Sequence, residues 1–529
     1  MAWLAKGSWV LLGLGWLFPV TAWADDFHVD ATAGPGGVGT EDDPFAELQD
    51  ALDVAQAGDV IHVRPGTYAP IATATDGTGG APILVVAEPA GQAIVQGNGT
   101  VLEAHHEYHT FEGLVFDGGY GAGDAIDGDG ANFLELHDVE VRRSGRDCID
   151  LHTVEGVRIV GSRIHHCVAG DAGGVVDAHG VTGDSVFELE IVDSEIYLFS
   201  GDAVQLSPPR LPWGGLAIRG CRLWTGALDE DAGAVAAGTV VGENALDTKV
   251  GAMLDGNGAP PRVELEDVTV WGFSGFITNQ AALLLKEDVD VRVDRVTVYE
   301  SELAFRLRGP ALVRVQNAVV HSVDAAVRYE DGLSGAEILA STFGGGVGAA
   351  FVDGGGDPPV GLVVDDLLVL GDALPDEASG GMANLAVGPE VFVDAAGHDY
   401  HLLEGSTPVD AGVALDGVTV DRDGTPRPVG EAVDVGAYEW SDEPPPSGST
   451  GDDGASSMDS GGGEGSGALD GTAGGGTTEP DGTGTGPGAS GSDEGGGDDS
   501  GCGCRHRGGS GTGAWVLVGM LAGWSWRRA

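Results

Sequence analysis

The chain has 529 residues, and its 83 acidic residues far outnumber its 25 basic ones, which gives a formal net charge of −58. This balance excludes duplex nucleic acid as a partner, because the chain offers no positive field that could replace phosphate counterions. It suits a secreted protein that stays soluble and attracts divalent cations locally. Lysine is rare and occurs only as Lys6, Lys249 and Lys286.

Residues 1–24 predict a secretory signal peptide. Lys6 supplies the positive n-region, Trp9 to Val20 form a short apolar stretch, and Ala22-Trp23-Ala24 gives a small-x-small cleavage site. The alternative is an uncleaved membrane anchor, for which the apolar stretch is short.

Residues 25–440 predict one folded domain that opens with a strand and a capping helix. Phe27 to Asp30 predicts the strand. Asp43 and Pro44 predict the N-cap and first residue of a short helix that ends at Gly58 and covers the open end of a solenoid. The apolar residues at helical spacing are Phe45, Leu48, Leu52 and Ala55.

Short strands then repeat with a period of about 21 to 30 residues plus insertions. In the first family the third residue is apolar and alternation sends the fourth outward: Val139–Arg142, Ser162–His165, Ser194–Tyr197, Cys221–Trp224, Val268–Trp271, Val296–Tyr299 and Ala318–His321. A second family follows a turn: Cys148–His152, Val175–His179, Ala203–Ser207 and Ala245–Lys249. One strand of each family per rung gives stacked parallel sheets around one long core, which is a β-helix.

Two outward columns of the second family hold polar residues. One column is Asp150, Asp177, Gln205 and Asp247, and the column two residues along is His152, His179, Ser207 and Lys249. Clustered carboxylates suit Ca²⁺, so the predicted metal ligands are Asp147, Asp150, Asp177 and Asp202. The alternative is that these side chains are solvated turn formers.

The outward column of the first family is largely aromatic, and runs Arg142, His165, Tyr197, Trp224, Trp271, Tyr299, His321. Such a ladder is either a track on which a sugar chain stacks or a set of rings that stabilise the solenoid by packing on each other. Longer loops lie between His165 and Asp177 and between Trp224 and Asp247, and we expect them to form the walls of a cleft.

Five cysteines occur, of which Cys148, Cys167 and Cys221 lie in the repeats. Their places in the repeat put them in different columns, and three thiols cannot pair completely. The sequence therefore predicts that disulfides do not staple this scaffold.

The C-terminal part predicts a stalk and a tail. Residues 441–501 are Gly, Ser, Thr, Pro, Asp and Glu with almost no large apolar residue, which predicts a disordered acidic linker. Residues 502–529 combine Cys502-Gly503-Cys504, an apolar stretch and Arg527-Arg528, and resemble myxobacterial C-terminal sorting tails. The alternative is a weak transmembrane anchor. Either places the domain outside the cell, attached to the outer surface.

The repeats resemble the right-handed parallel β-helix superfamily that includes pectate lyases. The opening segment from Asp43-Pro44-Phe45 to Pro65-Gly66-Thr67-Tyr68 and the closing segment from Asp399-Tyr400 to Ala437-Tyr438-Glu439 carry the resemblance. It implies an all-β fold, a single-stranded right-handed parallel β-helix with a short N-terminal capping helix and a disordered C-terminal stalk.

In pectate lyase-like members a basic side chain removes the proton α to a uronate carboxylate, while Ca²⁺ neutralises the acid groups. The resemblance implies Lys249 as that base beside Asp247, and Arg306 or Arg308 as a forked clamp on a substrate carboxylate. The other predicted substrate-binding residues are His179, Tyr197, Trp224, Trp271 and Tyr299. The Asp-Asp-x-x-Asp calcium motif of one such family is incomplete, since Arg146 takes its first place.

Two functions follow. The first is an extracellular polysaccharide lyase, or a related hydrolase, that acts on an acidic glycan with Ca²⁺. The second is a non-catalytic surface adhesin or glycan-binding module. Both imply a polysaccharide partner, attachment at the cell surface and a monomer. A triad nucleophile, a zinc-spaced His/Cys set and a phosphate loop do not occur with a convincing spacing.

Overall fold

Each strand segment pairs in parallel with its equivalent one turn later, and the pairs accumulate into three stacks around a continuous core. The computed structural model describes residues 24–206, 213–249, 260–286, 288–310, 312–330, 333, 335–356 and 360–442. Over these residues the chain winds into a right-handed parallel β-solenoid of about 11 turns with nearly no helix. The predicted β-helix is therefore confirmed.

The three stacks are named stack 1, stack 2 and stack 3 in the order in which the chain visits them on each turn. Stack 1 consists of Asp26–Val29, Val60–Val63, Ile83–Ala87, His109–Glu112, Glu135–His137, Arg158–Val160, the second half of Val181–Val192, Gly214–Arg219, Arg262–Glu266, Asp290–Asp294, Leu312–Gln316, Ala336–Leu339 and Val363–Asp365. Stack 2 consists of Gly66–Tyr68, Ala93–Gln96, Val115–Asp117, Glu140–Ser144, Arg163–Cys167, Glu195–Phe199, Arg222–Trp224, Thr269–Trp271, Thr297–Tyr299, Val319–Val320, Thr342–Phe343, Leu368–Leu370 and Leu385–Val387. Stack 3 consists of Ile71–Ala72, Leu102–Ala104, Ile126–Asp129, Ile149–Glu155, the first half of Val181–Val192, Val204–Leu206, Leu246–Asp247, Ala281–Leu285, Ser301–Arg308, Val323–Glu330 and Val347–Asp353.

The inward positions of stack 2 form an apolar column, as the repeat predicted. Its members are buried, and they are Val141, Ile164, Ile196, Leu223, Val270, Val298 and Val320. Stack 1 turns into stack 2 through one residue in the left-handed region, for example Asp138 (φ 51°) and Gly161 (φ 61°) on successive turns. Glycine adopts this conformation without a steric penalty, and aspartate tolerates it better than most residues.

The N-terminal helix is shorter than predicted and starts later. It spans Leu48–Leu52, with Glu47 at the N-cap and Leu48, Ala51 and Leu52 buried. Asp43 is not the cap, because Phe45 pairs with Val29 as an isolated bridge and extends the strand layer past the predicted start. The remaining short elements are the 3-10 turns Asp376–Ala378, Pro389–Val391 and Ala395–Gly397, and two antiparallel hairpins, Ala169–Asp171 with Gly174–Val176 and Phe392–Asp394 with Asp399–Leu402.

The prediction of a strand at Val175–His179 is wrong. The glycine pair Gly173-Gly174 closes a hairpin, so this segment leaves the solenoid, and the strand of that turn begins at Val181. The alternation of Val175-Val176-Asp177-Ala178 imitates a rung strand but lies in an insertion.

The prediction about the cysteines is also wrong, because Cys148 and Cys167 form a disulfide. Cys148 immediately precedes a stack 3 strand and Cys167 ends a stack 2 strand, so the turn between the stacks brings the two thiols together. Cys221 is a free, buried thiol.

The predicted signal peptide and almost all of the predicted stalk and tail lie outside the described residues. Within the described part of the chain, no helix combines the length and the hydrophobicity that a bilayer crossing needs.

Candidate functional site

The outward face of stack 3 carries a strip that is acidic towards one end and basic towards the other. Its central column follows from the strand register, with neighbours about 4.8 Å apart, and runs Asp127, Asp150, Thr182, Gln205, Asp247, Leu284, Arg306, Arg328. Thr182 takes the place predicted for Asp177, and Asp184, not His179, pairs with His152 in the neighbouring column. Ser207 lies outside the described residues. The basic half of this strip was not anticipated as one continuous surface.

A ladder of side chains runs beside this column, at the turn that leads into stack 3. Each side chain accepts a hydrogen bond from the backbone N–H of the equivalent residue one turn later, at 2.7 to 3.3 Å. Its members are Asp124, Asp147, His179, Asp202 and Asn244, and the last bond comes from Ala281 N–H. We call this set the turn ladder. It gives these buried polar groups a structural role in joining successive turns.

Two of the predicted site residues serve the turn ladder and do not reach the surface. His179 is buried and its Nδ1 accepts the N–H of Asp202 at 2.8 Å, while burial lowers its pKa to about 4. Asp202 is fully buried; its Oδ1 accepts two hydrogen bonds from Asn244, and its Oδ2 accepts no hydrogen bond but lies 3.8 Å from His179 Nδ1. Burial raises the pKa of Asp202 well above its ordinary value. Both side chains are therefore buried and contribute to the contacts between successive turns.

Asp147 and Asp150 do come together, but with Asp124 and not with the other predicted ligands. One carboxylate oxygen of each lies within 4.8 Å of the others, and we call these three residues the acidic triad. Burial and mutual repulsion raise the pKa of Asp124 to about 7, and burial raises that of Asp147 to about 6. Asp177 is exposed and is not part of the acidic triad; it lies beside Glu243.

Two protein cations face the acidic triad. The Arg146 guanidinium lies 2.8 Å from Asp124 Oδ2, and it also reaches Asp147 and Asp150 at 3.9 and 3.7 Å. The His152 ring lies 3.1 Å from Asp150 and 3.1 Å from Asp184. The hydrogen bond to Asp150 is the main cause that raises the pKa of His152 to about 9, so this ring is charged at neutral pH.

The centre of the strip is a carboxylate between two ammonium groups. Asp247 Oδ2 lies 3.3 Å from Lys249 Nζ and 3.0 Å from Lys286 Nζ, and the carboxylate is 3% exposed. Burial lowers the pKa of Lys249, but Asp247 and the neighbouring carboxyls outweigh it and leave that pKa above its ordinary value. The structure thus places the predicted pair Lys249 and Asp247 in contact and adds Lys286 to it.

The basic end consists of three arginines around one glutamate. Arg306 binds both Glu330 oxygens, at 3.0 and 3.2 Å, and Arg328 Nε lies 2.6 Å from Oε1. Arg308 Nε lies 3.9 Å from Glu330 Oε2. Three positive charges face one negative charge in this group. In the free protein Glu330 occupies the forked contact of Arg306 that was predicted for a substrate carboxylate.

The two insertions pack against each other and against the aromatic rings Tyr197 and Trp224. The hairpin after Cys167 and the segment 225–242 share an apolar cluster that includes Val168, Leu228, Ala232, Val235 and Val241. Glu230 holds the second insertion in place: it accepts two hydrogen bonds from Arg143, at 2.8 and 2.9 Å, and one from the Tyr120 hydroxyl at 2.8 Å. The predicted cleft over Asp247 and Lys249 stays a prediction.

The aromatic ladder exists in the predicted order, but its rings face each other. Neighbouring centroids are 4.1 to 5.6 Å apart and the planes differ by 2 to 13°. The rings are His165, Tyr197, Trp224, Trp271, Tyr299, His321 and His398. A sugar stacks on a ring face, and here the neighbouring rings cover both faces of each inner member. The geometry favours packing over a glycan track for Tyr197, Trp224, Trp271 and Tyr299.

Sequence reasoning missed Asp124, Lys286, Arg328 and Glu243. Lys286 had a signal, since Lys249 and Lys286 are the two lysines that follow Lys6 in the chain. Asp124, Arg328 and Glu243 could be placed in the site only if the exact number of residues on each turn were known, and the insertions obscure that number.

Comparisons with known proteins point to polysaccharide lyases. A family model described as Chondroitinase B matches residues 44–128. Pectate lyase PEL9 of Emericella nidulans is 34% identical over 97 residues, and the matched segment covers 18% of this chain and 23% of that relative. The chain thus spans about a quarter of the length of the curated relative that it matches. The family-model match includes Asp124 but ends before Asp147, Asp247 and Lys249.

Solved structures with similar backbones include lyases of several acidic polysaccharides. Pectate lyase Pel9A is 16% identical with a TM-score of 0.42, over 79% of this chain and 97% of that one. A rhamnogalacturonan lyase is 14% identical with a TM-score of 0.44, over 65% and 87%. A mannuronic acid-specific family 6 lyase from human gut microbiota is 14% identical with a TM-score of 0.41, over 61% and 78%.

Proposed function

We propose that this protein is an exported lyase that cleaves an acidic, uronate-containing polysaccharide by β-elimination on the strip of stack 3. The observation that carries the proposal is the convergence of positive charge in a chain of net charge −58. Lys249 and Lys286, the two lysines that follow the leader, meet at Asp247, and three arginines follow on the next turns. The similarity to chondroitinase and pectate lyase sequences supports a polysaccharide substrate.

In this proposal the substrate carboxylate lies against Lys286 and takes the place of Glu330 at Arg306. Their positive charges stabilise the negative charge that develops on the carboxylate as the neighbouring C–H bond breaks. The neutral amine of Lys249 takes that proton, a carbon–carbon double bond forms, and the glycosidic C–O bond breaks. The leaving oxygen receives a proton from water, and the hydroxide that remains takes the abstracted proton from the Lys249 ammonium, which regenerates the base.

Asp247 sets the protonation state of the base. An adjacent carboxylate favours the ammonium form of Lys249, which cannot accept a proton. The raised pKa of Lys249 therefore implies that the neutral, reactive form becomes more abundant as the pH rises. A reaction that runs through Lys249 is expected to be fastest at alkaline pH.

Calcium was expected from the sequence, but the acidic triad as placed does not fit the ion. Arg146 already lies against all three carboxylates. The proposed reaction needs only side chains of the protein and water, and no step depends on a metal.

The test is to incubate the purified protein with pectate, alginate and glycosaminoglycan substrates and to follow the ultraviolet absorbance of new unsaturated ends. Lys249→Ala should lower kcat about 10²- to 10⁴-fold, the range typical for loss of a general base. Arg163→Ala is the matched control, because Arg163 is an exposed cation that pairs with Glu140 on stack 2. Loss of activity in Arg163→Ala, or full activity in Lys249→Ala, would contradict the assignment.

A second candidate is a non-catalytic glycan-binding module at the outer cell surface. It is favoured by the ion pair that keeps Lys249 protonated, since a permanently charged strip binds an anionic chain without reacting with it. This function predicts no unsaturated ends from any substrate, together with glycan retention that Arg306→Ala weakens. Export, attachment through residues 502–529 and a monomeric state are part of both proposals.

A further inference from the structure

The acidic triad, Asp124, Asp147 and Asp150, holds a cation that belongs to the protein itself. Arg146 lies in the turn between the stack 2 strand Glu140–Ser144 and the stack 3 strand Ile149–Glu155. From there its side chain reaches back across the triad.

Each of the three carboxylates lies within 4 Å of a different nitrogen of Arg146. Nη1 lies 2.8 Å from Asp124 Oδ2, Nη2 lies 3.7 Å from Asp150 Oδ2, and Nε lies 3.9 Å from Asp147 Oδ2. A planar guanidinium has five donors in a fixed fork, so one side chain can serve several carboxylates at once. It therefore occupies the central position that a bound cation would take.

Several oxygens of the triad are engaged further. Asp124 Oδ1 accepts the N–H of Asp147 at 3.1 Å, and Asp147 Oδ1 accepts the N–H of His179 at 2.7 Å, both as parts of the turn ladder. Ca²⁺ requires six to eight oxygen ligands at about 2.3 to 2.6 Å. A calcium ion here would have to displace Arg146 and compete with backbone hydrogen bonds that join successive turns.

We infer that Arg146 is a tethered replacement for a divalent cation, so that the acidic triad is charge-compensated without calcium. This inference about calcium binding rests only on the position of Arg146 relative to the three carboxylates. Its consequence for catalysis, that the reaction continues in the presence of a chelator, rests on the proposed lyase function.

The side chain of Arg146 is 47% exposed, so that its replacement does not open a cavity in the core. Arg146→Asp adds a fourth carboxylate at the place that the guanidinium leaves. If Arg146 is what keeps a divalent ion out, this variant should bind calcium where the original chain does not.

The experiment is calorimetric titration of the full chain with CaCl₂ in five forms. These are the original chain, Asp150→Asn, Arg146→Asp, Arg146→Asp combined with Asp150→Asn, and the control Arg163→Asp. The control makes the same change of charge at an exposed arginine outside the triad. Arg146→Gln is titrated as well, so that a folding defect in Arg146→Asp, detected by circular dichroism, does not leave the question open.

The expected result is one new site in Arg146→Asp, at least tenfold tighter than the background of the original chain and of Arg163→Asp. Asp150→Asn should remove it. The inference is overturned if the original chain binds one calcium ion that Asp150→Asn abolishes, or if neither Arg146 variant binds more tightly than the original chain. Because the readout is binding, failure of the lyase proposal in the activity assay would leave this result interpretable, and the reverse also holds.

Discussion

Trp271→Ala tests whether the stacked rings outside stack 2 hold the solenoid together. Trp271 lies in the interior of the ladder, with Trp224 on one face and Tyr299 on the other, each at a centroid distance of 5.6 Å. Its backbone pairs with both neighbours in register. Removal of this ring therefore breaks two contacts and separates the ladder into two parts.

The cost follows from these contacts. Each aromatic pair contributes about 0.5 to 1.5 kcal/mol beyond area burial, so that two pairs account for about 1 to 3 kcal/mol. Substitution of a buried Trp by Ala costs about 3 to 5 kcal/mol in total. Because Trp271 is only partly buried, we expect about 3 kcal/mol, with most of the loss regained in Trp271→Phe, which keeps a ring in the stack.

The assay is urea unfolding followed by circular dichroism, combined with affinity electrophoresis in gels that contain an acidic polysaccharide. We expect a lower unfolding midpoint for Trp271→Ala and unchanged glycan retardation at low urea. An unchanged midpoint together with lost retardation would refute the packing argument and restore the glycan track.

Three further predictions concern pH and covalent structure. The rate constant kcat/KM should rise about tenfold per pH unit below the pKa of Lys249, since only the neutral amine accepts a proton; a flat profile from pH about 6 to 10 would exclude Lys249 as the base. Burial raises the pKa of Asp202, so the folded chain binds the proton of this carboxyl more tightly than the unfolded chain does. The folded state therefore loses stability as the pH rises above the pKa that Asp202 has in the unfolded chain. Asp202→Asn should therefore gain stability relative to the original chain between pH 4 and pH 8, and thermal scans that show a constant difference would contradict this. The double substitution Cys148→Ser and Cys167→Ser, which opens a loop with a sequence separation of 19, should cost about 3 kcal/mol. If the unreduced, denatured original chain shows two more free thiols than the double variant, the bridge is absent.

The fold could be predicted because its signal repeats. The inward residues of stack 2, such as Ile164 and Ile196, recur with the period of a solenoid turn, and each repeat strengthens the same conclusion. The order of the outward rings follows from the same register. What these rings do could not be predicted, since their periodicity does not say whether a ring faces solvent or its neighbour.

The site was predicted only in part, because insertions change the register one turn at a time. The proximity of Lys249 and Asp247 was predicted, because lysine is rare in this chain and because residues two apart on a strand share a face. Asp177 was assigned to the strip because its segment alternates like a strand, whereas the hairpin closed by Gly173-Gly174 removes it from the turn. Cys148 and Cys167 were not paired, since their contact depends on the turn between two stacks.

The turn ladder explains why the acids of this protein behave so differently at equivalent positions. At each position one side-chain atom accepts the backbone N–H of the next turn, and the second carboxylate oxygen is left for another partner. At Asp124 that oxygen lies 2.8 Å from Arg146 Nη1, whereas at Asp202 it is buried and accepts no hydrogen bond. Burial raises the pKa of both carboxyls, but only Asp124 lies beside a guanidinium that can compensate its charge. The local cation, and not the position in the repeat, therefore decides which ladder acid also belongs to the strip.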